Sequence, residues 1–176
     1  MDNKKSDHNE DFEHKSFEID GRTVEYKIKI VEETKQDLIN LSEKNQEFIA
    51  YCLVDVEILL KQLKTNINLS NYTAEDLDKL IYLWLNKKEL FKFVDEEEFI
   101  NAIGAGFGNY LNKTYNTVWT IIDDEYGTDY ACVSESPNFK AFPFSSVWKA
   151  VEERREGSLQ AIIDIIKKNL EDGSLS

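Results

Sequence analysis

Histidine is nearly missing from the 176 residues: only His8 and His14 occur, both in the polar stretch MDNKKSDHNEDFEHKS at residues 1–16. With both imidazoles placed there, the sequence offers no Ser-His-Asp, Cys-His or HExxH machinery to a folded body. Cysteine occurs twice, at Cys52 and Cys132, in apolar surroundings and with no CxxC or Cys/His spacing. A disulfide framework and a structural zinc site are therefore not expected, and a reducing, cytoplasmic setting is. Residues 1–16 lack the apolar core of a secretory signal, and no later run approaches the ~18 apolar residues of a membrane span, so a soluble protein is expected. Cations are also short, with 21 Lys+Arg against 34 Asp+Glu and a net charge of −13. That balance is the reverse of what a reader of the phosphate backbone needs, so direct nucleic-acid binding is not expected.

What is present is enough to fold. Apolar residues make up 41% and aromatics 12%, too rich for a disordered chain, and the length suits one domain of ordinary size. The reading is a disordered polar leader at 1–16 followed by a single domain at 17–172. Phe17 and Ile19 precede Asp20-Gly21, after which Val24, Tyr26, Ile28 and Ile30 alternate with polar residues, the pattern of a hairpin with a glycine turn. From Thr34, taken as an N-cap, apolar residues recur at three and four positions from Leu38 to Leu63, which predicts one long amphipathic helix, or two with a kink. Thr73 caps a second helix bearing Leu77, Leu80, Ile81 and Trp84. Asp95 caps a third with Glu98 as its reciprocal partner at N3, and Phe99, Ile100, Ile103, Phe107 and Leu111 continue its apolar face.

Residues 117–142 read as a three-stranded meander with turns at Asp123–Gly127 and Ser134–Asn138. Pro143 and Ser145/Ser146 open a helix with Val147, Trp148 and Val151 that stops at Gly157, and Ser158 caps a last helix. Helices and strands are segregated, which predicts an α+β fold: a small antiparallel sheet, made of the N-terminal hairpin and the central meander, packed with about five helices. The hairpin is expected to extend or face the later sheet.

Gly104-Ala-Gly106-Phe-Gly108 lacks the GxGxxG spacing and follows an acidic helix start, not a strand. The glycines are read as close packing, with Gly104 and Gly108 on one helix face. A calcium loop starting at Asp124, in the turn Asp123-Asp124-Glu125-Tyr126, fails the pattern, since its sixth position is Asp129 and not glycine. No metal and no cofactor is expected. Trp119, Trp148, Phe142 and Phe144 are read as core aromatics covering the sheet, in preference to a ligand cage.

Gly104-x-x-x-Gly108, Trp119, Asp124-Glu125-Tyr126-Gly127, Phe142-Pro143 and the helix Val147-x-Lys149-x-Val151-Glu152 together resemble an uncharacterised bacterial family, domain of unknown function number 3806. The likeness spans about Glu97 to Gly157, with Arg154-Arg155-Glu156-Gly157 fitting after a small shift. It implies a framework and a bacterial setting and carries over no catalytic residue.

The functional expectation is a non-enzymatic, acidic binding protein: an immunity or inhibitor protein that neutralises a basic toxin domain such as a nuclease. Charge carries it, because acidic surfaces steer basic partners. Residues 92–129 contribute 2 − 8 = −6 of the −13. The candidate partner-binding residues are accordingly Glu96, Glu97, Asp124, Glu125, Tyr126 and Asp129. Two alternatives stand: a hydrolase-type enzyme using the Asp124/Glu125/Tyr126 turn, and a regulatory or structural subunit that self-associates through an exposed stripe of the first helix. The oligomeric state is left open.

Overall fold

The computed structural model describes residues 12–19, 21–29, 35–63, 67–68, 71–135 and 138–173. Among them lie five α-helices and two antiparallel sheets, of two and four strands, so the architecture is α+β. The chain divides into two compact units, residues 1–35 and 36–176.

The first unit is a hairpin of β1 (Phe12–Ile19) and β2 (Arg22–Lys29), with Ile19 opposite Arg22. That register leaves a two-residue turn. Gly21 occupies it at φ +72°, the positive angle such turns require. Strand β1 thus includes Phe12 to Ser16, which the sequence assigns to the leader, and His14 lies within it opposite Lys27. Ile30 and Thr34 lie outside the described residues, as do the leader residues before Phe12.

The second unit corrects one element. Leu38 does not begin a helix but sits in a short strand, β3 (Asp37–Ile39), which pairs with β4. The helix α1 starts later, at Glu43–Gln62, where Ser42 and Asn45 form a capping box. The cause is a local cap set against a distant strand. Ser42 satisfies the helix's first N–H groups, while the edge of β4 takes up the Leu38–Ile39 backbone. The meander β4 (Val118–Asp124), β5 (Gly127–Glu135) and β6 (Asn138–Ala141) forms as expected, in the sheet order β3-β4-β5-β6. The meander's fourth strand is β3, whereas the hairpin keeps a sheet of its own, which replaces the expectation that it extends the later sheet.

Helix α2 (Ala74–Asn86) is capped by Thr73 and Asp76, and α3 (Glu96–Tyr115) by Asp95 and Glu98, both with the reciprocal bonds of a capping box. A 3₁₀ turn, Lys88–Phe91, joins them and inserts Phe91 beside Trp84 and Phe99. Trp84 stacks on Phe99 with ring centroids 4.3 Å apart. The main core gathers Val56, Leu59 and Leu60 of α1, Leu77, Leu80 and Ile81 of α2, Ile103, Phe107 and Leu111 of α3, and Leu159 and Ile163 of the last helix.

Helix α4 (Pro143–Glu152) ends five residues before Gly157, with Arg154 taking the left-handed conformation at φ +53°. Helix α5 (Ser158–Glu171) has Gly157 at its N-cap and no side-chain cap from its own chain segment. Ser158 does not cap it; its hydroxyl donates to the Arg155 carbonyl. The acceptor is Asp78 of α2, 6% exposed, whose two carboxylate oxygens take the N–H groups of Leu159 (3.1 Å) and Gln160 (2.8 Å). Burial pushes the Asp78 carboxyl above its ordinary range, the bonds from Gln160 and Leu159 pull it back, and Glu75 adds to the push. No helix among the described residues is long and apolar enough to cross a membrane.

Candidate functional site

Glycine makes the central half of α3 a packing surface. A Cβ on Gly108 would fall 1.9 Å from the Trp119 ring, and one on Gly104 would fall 2.7 Å from Cδ1 of Phe144. Both aromatic rings therefore lie directly on helix backbone, and the packing reading of the glycine run holds. Trp119 also meets the Phe144 ring at 5.5 Å.

The other end of α3 is solvent-facing. An open groove of about 460 Å³ lies where α3 and α4 begin. Helix α3 supplies Glu96, Glu97, Ile100 and Asn101, which helical spacing puts on one side; α4 supplies Phe144, Ser145 and Trp148 by the same rule. Phe144 is buried, whereas Trp148 is 48% exposed. The sequence reading placed Trp148 in the core with Val147 and Val151. Those two are buried as expected, but Trp148 lies one helical step from Val147, beside Ser145 and Phe144, and its ring reaches the groove. A finer phase argument on α4, with Phe144, Val147 and Val151 as the stripe, is the signal that separates it.

The six candidate residues divide between two places. Glu96 and Glu97 line the groove. Glu96 also pairs with Lys88 at 3.1 Å, and the same ammonium lies 4.6 Å from the Trp84 ring centroid. Asp129 belongs to the groove indirectly: its carboxylate accepts the Ser145 hydroxyl and its own neighbour's N–H, Tyr130, at 2.7 Å. Asp124, Glu125 and Tyr126 form the tip of the β4–β5 hairpin instead. Asp124 opposes Gly127, so Glu125 and Tyr126 are the two-residue loop, and both are exposed. The Asp124 carboxylate accepts the Tyr126 N–H at 2.9 Å and the Gln36 side-chain amide at 2.9 Å. Gln36 in turn accepts from Lys140 at 2.6 Å. From Gly127 to Asp129 is two residues, about 7 Å of strand, so β5 links the tip to the residue behind the groove.

Both thiols are buried. Burial, with a smaller push from Asp55, raises the Cys52 thiol to about 11, and burial raises Cys132 to about 12 even though Thr117 opposes the shift. Neither is a thiolate at neutral pH. Among the described residues no group of three or more His, Cys, Asp or Glu side chains is arranged to hold a metal ion.

A comparison with curated proteins finds no match. Among solved structures, a protein of Bacteroides thetaiotaomicron VPI-5482, crystallised and resolved to 1.50 Å, is similar at 15% identity over 87% of this chain and 69% of its own, with a TM-score of 0.52. At that identity the likeness is one of fold. The resemblance drawn over Glu97–Gly157 is matched and widened: residues 79–162, from within α2 to within α5, match the model of the family described as a domain of unknown function, DUF3806.

Proposed function

We propose that this chain is a non-enzymatic binding protein whose acidic surface holds a basic protein partner, in the manner of a cytoplasmic immunity protein that neutralises a toxin domain. The observation that carries the reading is the placement of Glu96 and Glu97 on an open groove beside a half-exposed tryptophan. Aromatic anchors set beside charged groups are what protein interfaces are enriched in, and a net charge of −13 draws a basic partner toward them. The hairpin tip, with Glu125 and Tyr126 exposed, is a second acidic place on the chain. The hydrolase alternative at Asp124, Glu125 and Tyr126 has less support, because two of the three stand on an exposed turn and the third is held by Tyr126 and Gln36.

The test is identification of the product encoded next to this chain's gene and, where it is a basic toxin-like protein, co-expression of the two. A complex that survives purification, protects the host and associates more slowly as salt rises is expected. A stable basic toxin that neither binds nor is neutralised overturns the proposal.

A second reading has one observation in its favour. Helix α1 exposes Tyr51, Val54 and Ile58, at the three- and four-residue spacing of a single face. Self-association through that stripe predicts a dimer in sedimentation that Val54→Lys dissociates; a monomer at all concentrations excludes it.

A further inference from the structure

The molecule already contains one cation seated on a tryptophan beside a carboxylate. Lys88 Nζ lies 4.6 Å from the Trp84 ring centroid and 3.1 Å from Glu96. The groove repeats the acceptors without the cation. Trp148 presents an exposed indole, and Glu97, exposed on the next residue after Glu96, has no ion-pair partner among the described residues. Glu96 lends further negative charge, partly offset by Lys88. Asn101 and Ser145 add side-chain oxygens, and the bond from Ser145 to Asp129 holds that hydroxyl in place. Ile100 and Phe144 supply apolar surface for an aliphatic stem.

From this arrangement we infer that the groove is the receptor for an arginine side chain of a protein partner, its guanidinium stacked on Trp148 and bonded to Glu97. Three features select arginine. A planar guanidinium stacks on an indole, where an ammonium offers only a point charge. Its five N–H donors match the carboxylate and oxygen acceptors that the groove offers. The volume, about 460 Å³, lies in the range of small-ligand sites and is large enough for a long side chain. An anion is disfavoured despite the helix N-termini here, because Glu96 and Glu97 oppose it.

This inference takes its biological meaning from the binding-protein reading, but its test does not need the partner. Blocked glycine–arginine–glycine, glycine–lysine–glycine and triglycine peptides are titrated into the full chain while the indole N–H resonances are followed, with Trp148 assigned by Trp148→Phe. Saturable movement of the Trp148 signal is expected with the arginine peptide and weaker movement with lysine. Glu97→Gln and Trp148→Leu should each weaken binding by roughly two- to five-fold, the scale of a cation–π or charge-assisted contact at an exposed site. Unchanged thermal midpoints confirm that both variants fold.

No saturable movement, equal response to all three peptides, or full binding by Glu97→Gln overturns the inference. The two readings fail separately. A cognate toxin bound with full affinity by the Trp148→Leu/Glu97→Gln double variant overturns the arginine site and leaves the binding protein standing. Arginine-selective binding in a chain with no protein partner does the opposite.

Discussion

Helix α3 is two different objects joined end to end. Its first turn, Glu96-Glu97-Glu98, is exposed and acidic; its middle, from Ala102 to Gly108, is wholly buried and carries three glycines. In the first region Glu96 and Glu97 tolerate exchange because water solvates their charges, while Glu98 is held by its capping bond from the Asp95 N–H. The second tolerates almost none, because Trp119 and Phe144 rest where side chains would otherwise stand. On the proposed reading, recognition and folding are carried by separate residues of this helix. Phe144 links them, since the ring that lies on Gly104 also lines the groove.

The harshest way to break the buried half is Gly108→Val. The Trp119 ring has to leave its site, and overpacking of about 3 kcal/mol lowers the thermal midpoint by roughly 6–12 °C for a chain of this size. Adding Trp119→Leu should restore part of that loss, which calorimetry of the pair would show.

Asp78 sharpens the comparison from the acidic side, as a carboxylate that folds the chain instead of meeting a partner. Asp78→Ala leaves two α5 N–H groups without their acceptors and should cost about 1–3 kcal/mol in urea unfolding. Its pH signature is opposite to that of Asp76, two residues earlier. Asp78 titrates above its ordinary 3.8 in the folded state, so its contribution is full below that value and is lost as pH rises through the raised one. Burial also pushes Asp76 upward, but bonds from the Thr73 N–H, Lys79 and the Thr73 hydroxyl outweigh it and hold Asp76 low. Its contribution is present above 3.8 and lost as pH falls through the lowered value. Carboxyl NMR titration should find Asp76 below 3.8 and Asp78 above it; the reverse order contradicts the capping geometry.

Gly104→Ala probes the joint between the halves. The new methyl meets Phe144 at 2.7 Å on the ring and 3.0 Å on its Cα, so α4 has to yield by tenths of an ångström. A loss of about 1 kcal/mol is expected after the gain in helix propensity. Arginine-peptide binding should weaken in a chain that remains folded. The smallest stability effect belongs to Glu96→Gln/Glu97→Gln, within about 0.5 kcal/mol of the parent by urea unfolding, while partner association slows and loses much of its salt dependence. A large stability loss there would erase the distinction between the two halves.

Much of the fold was legible because its signals are short-range. The hairpin turn at Gly21, the Thr73 and Asp95 caps and the glycine spacing of α3 each depend on residues within a turn of one another. What escaped depends on partners distant in sequence. The strand β3 exists because β4, some 80 residues later, pairs with Leu38 and Ile39, and α5 begins under a carboxylate from α2. The acidic candidates were legible as charge but not as places. Glu96 and Glu97 share a groove with Trp148, Asp129 reaches it through Ser145, and Asp124, Glu125 and Tyr126 stand on a hairpin tip. Only the packing of α3 against α4 draws that division, and no spacing within either helix encodes it.

The trans cap on α5 also says where this molecule can be cut. The family match starts at residue 79, one position after Asp78, and stops at residue 162, inside α5. A fragment trimmed to those limits would discard the acceptor that starts α5, the last two turns of that helix, and the α1 residues Val56, Leu59 and Leu60 that fill the core. The stretch that matches the family model is therefore shorter than the packed unit, residues 36–176, whose core includes α1 and whose last helix starts under a carboxylate of α2.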